Sequence, residues 1–251
     1  MMREDTVFGP IRSRRLGSSL GVNLLPRNGK LCNFDCIYCE CGWNKDGLGD
    51  RILPDVREVE EALKARLTFC REQGIAIDSV TFSGDGEPTL HPDFAEIIDR
   101  TLALRDALCP EARVSVLSNA TRIGREDVFR ALRKVDNPIL KIDAPSDALA
   151  ARINRPAGTY HVADVVAAME RFEGAFILQT MFLRAPGFDS SSPEVLLPWM
   201  EIVRKVHPRE VMVYTFDRPA PAEGLEKMTA QEMAVLVEPL VREGFRIQIR
   251  G

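Results

Sequence analysis

The stretch SVTFSGDGEPTL at residues 79–90 contains the pattern from which the fold is predicted. Residues 79–83 are mostly apolar or hydroxylated and predict a short strand, and the glycines that follow predict a loop. The next segment has apolar residues at steps of three and four, which is typical of one buried helix face: Phe94, Ile97, Ile98 and Leu102. The stretch therefore predicts one strand–loop–helix unit.

The same unit recurs on both sides of this stretch. Short apolar runs alternate with longer amphipathic ones, as in repeated β/α units around a parallel sheet. The predicted strands are residues 22–25, 79–83, 114–119, 139–143, 176–182 and 211–216. Further helical stripes are Val59, Leu63 and Leu67, then Val195, Trp199, Ile202, Val203 and Val206. We expect an α/β fold, a partial TIM-like (β/α)6 barrel, in which a helix and strand within 229–251 cover one edge.

Alternate residues of a strand point to opposite faces, which divides each predicted strand into two sets. One set is apolar and is expected to pack on the helices: Val80, Phe82, Val114, Val116, Leu140 and Ile142. The other set is polar and faces the interior: Thr81, Ser83, Ser115, Asn119, Lys141, Asp143 and Gln179. Unpaired buried polar groups are costly, so this interior predicts a polar ligand near the carboxyl ends of the strands.

Length and composition limit the classes of protein. A chain of 251 residues with 45% hydrophobic residues can bury one sizeable core, and we expect a single domain over 1–251 with a short extension at 1–20. The net charge of −4 lacks the basic excess that favours nucleic acid. No apolar run approaches the roughly 20 residues needed to span a membrane, and the charged N-terminal residues do not resemble a signal peptide. A cytoplasmic location is the expectation.

Four of the six cysteines crowd into ten residues after the first predicted strand, within CNFDCIYCEC. In a reducing compartment they are thiols or metal ligands, while Cys70 and Cys109 are expected to be small buried hydrophobes. Cys32, Cys36 and Cys39 on a cluster of four irons would leave one iron open to another ligand. The alternative is a closed zinc or electron-transfer site with Cys41 as fourth ligand.

The spacing Cys-x3-Cys-x2-Cys, with Tyr38 before the last cysteine, resembles the signature of the radical S-adenosylmethionine (SAM) superfamily. The resemblance implies that Cys32, Cys36 and Cys39 bind a [4Fe-4S] cluster and that Tyr38 flanks the adenine of SAM. It also implies a barrel of the radical SAM type. The expected reaction is reductive cleavage of SAM to a 5′-deoxyadenosyl radical that abstracts hydrogen from an unidentified substrate.

Two further motifs extend this resemblance. The turn Gly84, Asp85, Gly86, Glu87 resembles the superfamily's Gly-Gly-Glu turn, which binds the methionyl ammonium of SAM. Ser118 and Asn119 match positions that contact its ribose or carboxylate; the alternative is a helix cap by Asn119 or Thr121.

Three inward residues are further candidates for the same pocket. Lys141, Asp143 and Gln179 are predicted to contact cofactor or substrate. The alternative for Lys141 and Asp143 is a buried ion pair without a functional role. His91 is expected to belong to a loop turn.

Within the superfamily, the chain resembles the wyosine-synthase-like group through residues 8–17, 19–22, 153–156 and 214–219. Members of known activity modify a guanosine in transfer RNA, but nothing before Cys32 could bind their second cluster, and the acidic charge does not favour RNA. The sequence is also compatible with a glycyl-radical activase or with a non-catalytic iron or zinc module. Arg12, Arg14 and Arg15 are interpreted as a solvated face rather than a substrate anchor. The expected partner is a one-electron donor such as flavodoxin or ferredoxin.

Overall fold

The computed structural model describes residues 5–13, 16–47, 49 and 51–251. The chain forms two compact units. The first comprises the described residues of Met1–Cys32, Asn44–Ser118 and Arg125–Pro138, and the second comprises Asn33–Trp43, Asn119–Gly124 and Ile139–Gly251. The cysteine segment is divided, because Cys32 belongs to the first unit while Cys36 and Cys39 belong to the second.

The first unit is a sheet with helices. Its strands are β1 (Val7–Ser13), β2 (Gly17–Val22), β3 (Ser79–Phe82) and β4 (Arg113–Ser118), and its helices are α1 (Val56–Glu72), α2 (Phe94–Leu108) and α3 (Glu126–Lys134). A short 3-10 helix covers Pro88–Leu90. β1 and β2 form an antiparallel hairpin, and β2, β3 and β4 run parallel in that order.

The helices of this unit follow the predicted stripes. Helix α1 begins after Asp55, whose carboxylate accepts the Glu58 N–H and caps the first turn. Its buried residues are Val59, Leu63, Leu67 and Cys70, and those of α2 include Phe94, Ile97 and Ile98. Apolar burial therefore fixes which face of each helix meets the sheet.

The second unit repeats the parallel arrangement. Strand β5 (Asn137–Lys141) begins in the first unit and ends in the second, where it pairs in parallel with β6 (Ile177–Met181). Next to β6 come β9 (Glu210–Tyr214) and β11 (Ile247–Arg250), both parallel. The helices are α4 (Asp147–Ile153), α5 (Val162–Glu170), α6 (Pro193–Val206) and α7 (Ala230–Arg242). A small antiparallel sheet joins β7 (Leu183–Ala185) to β8 (Phe188–Asp189) and β10 (Glu226–Lys227).

The predicted strands correspond to β2, β3, β4, β5, β6 and β9, and β11 with α7 confirms the predicted C-terminal pair. The prediction of the first strand at 22–25 is wrong, since β2 ends at Val22. Leu24 and Leu25 are fully buried but lie in the following loop. The strand was missed because Ser18 and Ser19 are polar and interrupt the apolar pattern. Most of the expected extension at 1–20 belongs to the hairpin of β1 and β2.

A chain of buried hydroxyl groups explains the polar face of the first unit. Thr81 Oγ1 lies 2.8 Å from Ser19 Oγ and 3.0 Å from Ser79 Oγ, which is itself 2.9 Å from Ser115 Oγ. The side-chain amide of Asn137 donates to Ser115 Oγ at 3.0 Å. Neighbouring strands therefore provide hydrogen bonds for the hydroxyl groups of Thr81 and Ser115 on the face that was expected to be polar.

Among the described residues, no helix has the length and apolar character required to cross a membrane.

Replacement of Thr81 by Val should destabilise the protein by about 1 to 3 kcal/mol, because buried Ser19 and Ser79 each lose a partner. Thr81→Ser, which keeps the hydroxyl, is the matched control. Urea denaturation followed by circular dichroism measures the difference. A Val variant as stable as the Ser variant would show that the hydroxyl chain contributes nothing to stability.

Candidate functional site

The residue before Cys32 is fixed to the turn that follows β3. The Leu31 N–H donates to the Asp85 carbonyl at 3.0 Å, and the Leu31 carbonyl accepts the Glu87 N–H at 3.0 Å. This pairing makes a short parallel bridge between Leu31 and Gly86. The start of the cysteine segment is therefore held by backbone rather than by side chains.

The two glycines of the GDGE turn permit this close approach. Gly86 has a φ of +144°, and a Cβ there would lie 1.9 Å from the Leu31 carbonyl oxygen. At Gly84 a Cβ would lie 2.0 Å from Asn23 Oδ1. Neither position accommodates a side chain without movement of its neighbours.

Glu87 ties the end of β3 to the end of β4. Its buried Oε1 accepts the Thr89 N–H at 3.1 Å, the Thr89 hydroxyl at 2.5 Å and the Ser118 hydroxyl at 2.9 Å. Asp85 beside it is also buried, with 1% of its surface exposed. The predicted residues Asp85, Gly86, Glu87 and Ser118 thus lie together in the first unit.

In the second unit, the segment 153–157 pairs with the cysteine segment. Asp35 and Ile37 donate their N–H groups to the carbonyls of Asn154 and Ile153, both at 2.9 Å. The Ala157 N–H donates to the Asn33 carbonyl at 2.8 Å. Irregular loop backbone needs such partners when it is shielded from water, so these bonds fix the path of residues 33–37.

Asp143 collects hydrogen bonds around Cys36. Its Oδ2 accepts the Tyr38 hydroxyl and, at 2.7 Å, the side-chain amide of Asn154. Its Oδ1 accepts the Met181 N–H at 2.8 Å. The same Asn154 nitrogen lies 2.9 Å from the Tyr38 hydroxyl oxygen and 3.4 Å from Cys36 Sγ. Tyr38, Asp143 and Cys36 are therefore connected through Asn154.

Lys141 forms a buried ion pair with Asp143, as one of the two interpretations of these residues expected. Its Nζ lies 3.8 Å from Asp143 Oδ2 and donates to the Tyr214 hydroxyl at 2.6 Å. The ammonium also lies 4.8 Å from the centre of the Tyr38 ring. Burial lowers the pKa of Lys141, but the Asp143 charge and the Tyr214 bond outweigh it and hold the pKa above its ordinary value. The lysine is therefore a fixed positive charge.

Cys36 is a thiol of high pKa in these surroundings. Desolvation raises its pKa to about 11, against the opposing effect of the Lys141 charge. Desolvation and the Asp143 charge also raise the pKa of Tyr38, which stays a neutral phenol. A bound cation is the means by which such a thiol becomes a thiolate at neutral pH.

Gln179 is buried without a hydrogen-bonding partner for its side-chain nitrogen. It has 5% of its surface exposed, and its Nε2 contacts no acceptor among the described residues. Register places Gln179 beside Lys141 and Met212, on the face opposite Thr180. Thr180 accepts the indole N–H of Trp199 from α6 at 3.0 Å, so the Gln179 face points away from that helix, as parity predicted.

Asn119 takes part in a closed set of hydrogen bonds. Its Oδ1 accepts the N–H and the hydroxyl of Thr121 at 3.1 and 2.8 Å, and its amide donates to Asn33 Oδ1 at 2.7 Å. Asn33 in turn donates to Thr121 Oγ1 at 2.6 Å. The interpretation of Asn119 as a cap agrees with this geometry, although the capped element is the turn at 121–124 rather than a helix.

The remaining sequence candidates have simpler surroundings. Cys70 is buried in α1 as expected, whereas Cys109 is half-buried at the end of α2, so the expectation of burial is wrong there. His91 lies in the turn before α2 and contacts the Pro54 carbonyl at 2.9 Å. Arg12 is exposed on β1, and Arg14 and Arg15 lie outside the described residues.

Cys32, Cys36, Cys39 and Cys41 are all half-buried, and none of them forms a disulfide with another described cysteine. Within the described part of the chain, no three His, Cys, Asp or Glu side chains are already grouped as a metal site. The donors nevertheless suit an iron–sulfur cluster, because thiols follow one another along a loop and an amide N–H reaches one sulfur. Sequence reasoning did not find Asn33 or Asn154 as individual site residues; only the 153–156 motif pointed to the latter.

Comparison with solved structures defines the class of fold. A radical SAM methyltransferase from Sphaerobacter thermophilus aligns with a TM-score of 0.67 at 16% identity, over 92% of this chain and 65% of that one. A structure of TYW1 with a lysine–pyruvate adduct bound aligns with a TM-score of 0.65 at 14% identity, over 91% and 75%. The fold is therefore the α/β partial barrel of these proteins.

Residues 29–213 match the Radical SAM superfamily, and the chain belongs to that family. It is a radical SAM enzyme, and its cofactors are those of the superfamily, a [4Fe-4S] cluster and SAM. The UPF0026 protein MJ1312 of Methanocaldococcus jannaschii is 30% identical over 218 residues, which are 84% of this chain and 64% of that protein. The chain thus spans about two thirds of the length of this relative.

Replacement of Gly86 by Ala should destabilise the protein by at least about 1 to 3 kcal/mol, because the new Cβ meets the Leu31 carbonyl and the positive φ is unfavourable. Gly124→Ala is the matched control, since a Cβ there meets nothing within 4 Å. Chemical denaturation of both variants gives the comparison. Equal stability would mean that the Leu31–Gly86 bridge is not needed.

Replacement of Gln179 by Met should stabilise the ligand-free protein by about 1 kcal/mol, because it removes an unpaired buried amide and keeps the volume. The control is Gln231→Met, at an exposed position of α7. Differential scanning calorimetry measures both. A less stable Gln179 variant would indicate that the amide is already paired, for example with internal water.

Proposed function

We propose that this enzyme binds a [4Fe-4S] cluster through Cys32, Cys36 and Cys39 and cleaves SAM reductively. The observation that carries the proposal is the Cys-x3-Cys-x2-Cys segment within the family match at 29–213. The backbone hydrogen bonds of Leu31 and of residues 33–37 support the proposal. They fix the path of the chain next to Cys32 and on both sides of Cys36.

The bound cofactors supply the electron transfer and the 5′-deoxyadenosyl radical that abstracts hydrogen from the substrate. The chain's own residues bind, orient and exclude water. The residues proposed to contact SAM are Tyr38, Gly84, Asp85, Gly86, Glu87, Ser118, Asn119, Lys141, Asp143 and Gln179.

These residues differ in what they still have to offer a ligand. Gln179 has an unpaired buried donor, which a ligand acceptor would satisfy. Lys141 and Asp143 form an ion pair without net charge, and the Asp143 carboxylate orients Tyr38 by accepting its hydroxyl hydrogen. The Asn119 side chain is tied to Asn33 and Thr121, so its proposed contact with SAM requires sharing of those hydrogen bonds.

Two observations bear on the substrate class, and they favour different substrates. The motifs at 8–17, 19–22, 153–156 and 214–219 resemble the wyosine-synthase-like group and favour a tRNA-modifying reaction, whereas the net charge of −4 favours a substrate without a long phosphate backbone. A glycyl-radical activase is a second enzymatic possibility, and a non-catalytic iron or zinc module is the possibility outside enzymes.

The enzyme also needs partners that the chain does not contain. An external one-electron donor, such as flavodoxin or ferredoxin, is proposed to reduce the cluster. A cytoplasmic location is proposed because a cluster on exchangeable thiols suits a reducing compartment.

Anaerobic reconstitution with iron and sulfide, then dithionite and SAM, should yield 5′-deoxyadenosine and methionine. Replacement of Cys32, Cys36 or Cys39 by Ala should abolish both the cluster and the products, because each is a proposed iron ligand. Iron analysis and chromatography of the products measure the effect.

Cys41→Ala is the matched control, since Cys41 lies in the same segment. It should keep about four irons per chain and its activity. Loss of metal from the Cys41 variant, or zinc in the native protein, would instead indicate a closed four-cysteine site.

A further inference from the structure

The motif at 153–156 has a position that the proposed function does not yet explain. Its backbone pairs with the cysteine segment through the carbonyls of Ile153 and Asn154. Within this motif, the side chain of Asn154 reaches the sulfur of Cys36, which lies 118 residues away in the sequence. A contact between groups so far apart along the chain is built by the fold, not by local geometry.

The orientation of the Asn154 amide is fixed by its neighbours. The Asp143 carboxylate accepts hydrogen bonds and donates none, so the group 2.7 Å from it must be the NH2 of Asn154. The same nitrogen lies 3.4 Å from Cys36 Sγ. Asn154 therefore presents an N–H, and not its carbonyl oxygen, to the sulfur.

We propose that Asn154 is a positioning residue that sets the reduction potential of the cluster by donating an N–H···S hydrogen bond to the Cys36 thiolate. The inference rests on the proposed function, in which Cys36 is an iron ligand. Reduction moves one electron from the external donor to the cluster and no proton. The electron adds negative charge that is shared by the ligand sulfurs, and hydrogen bonds to sulfur raise the potential of such clusters.

The charged groups around Cys36 have opposing effects on its sulfur. Lys141 and Asp143 both act on the sulfur, with opposite signs, and they lie 3.8 Å apart. Tyr38 is a neutral phenol that donates to Asp143. The Asn154 amide is neutral, so the effect of its hydrogen bond on the sulfur is not offset by an adjacent opposite charge.

Asn154→Ala removes the donor and leaves the backbone carbonyl that accepts the Asp35 N–H. We expect the cluster to assemble, with a ratio of reduced to oxidised cluster about tenfold lower at a fixed potential, which is about 59 mV for one electron. A redox titration followed by electron paramagnetic resonance measures this ratio, and iron analysis shows that the cluster content is equal.

Asn44→Ala is the matched control. Asn44 donates to the Cys32 carbonyl at 3.2 Å, so it contacts the backbone of a proposed ligand rather than a sulfur. Its potential should match that of the native protein. Equal shifts in both variants would show a general loosening of the cysteine segment and overturn the role of the N–H···S bond.

If the Asn154 variant does not take up a cluster, the native protein provides the test. Protein grown with asparagine labelled with 15N in the side chain should show a nitrogen coupling in the electron–nuclear double resonance spectrum of the reduced cluster without SAM. Absence of the coupling overturns the inference. A native protein without a cluster overturns the proposed function as well, whereas native and Asn154→Ala proteins of equal potential overturn the inference alone.

Discussion

The buried carboxylate of Asp143 is the constraint on which the second unit depends. Its side chain has no exposed surface, and an uncompensated charge in such a place costs several kcal/mol. The compensation comes from the Met181 N–H, the Tyr38 hydroxyl, the Asn154 amide and the nearby Lys141 ammonium. These groups belong to β6, the cysteine segment, the end of α4 and β5. One charge therefore fixes the mutual positions of four segments of this unit.

The cysteine segment itself is anchored by backbone. In the first unit Leu31 exchanges hydrogen bonds with Asp85 and Glu87, and in the second residues 33–37 do so with 153–157. The path of the segment is thus set by backbone groups rather than by its cysteine side chains.

The sequence was sufficient for the parallel β/α pattern, because periods of two and of three to four residues reflect burial directly. It was insufficient for β2, where Ser18 and Ser19 lie in a strand whose inner face is polar. It was also insufficient for β1, because the pairing of β1 with β2 depends on the tertiary sheet rather than on an apolar period. Among the predicted site residues, Lys141 and Asp143 followed from strand parity. The partners Asn33 and Asn154 did not, because amides that bridge distant segments leave no local period.

Asp143 and Cys36 lie in the same cluster of side chains but differ in the hydrogen bonds that they receive. Asp143 receives direct hydrogen bonds from three groups besides its partner Lys141. Cys36 receives a hydrogen bond from the Asn154 amide at 3.4 Å, and burial raises its pKa to about 11. The neighbouring groups thus satisfy the oxygens of Asp143 directly, whereas burial disfavours the thiolate form of Cys36. If Cys36 binds iron as proposed, the metal displaces the thiol proton, because a metal-bound cysteine is a thiolate.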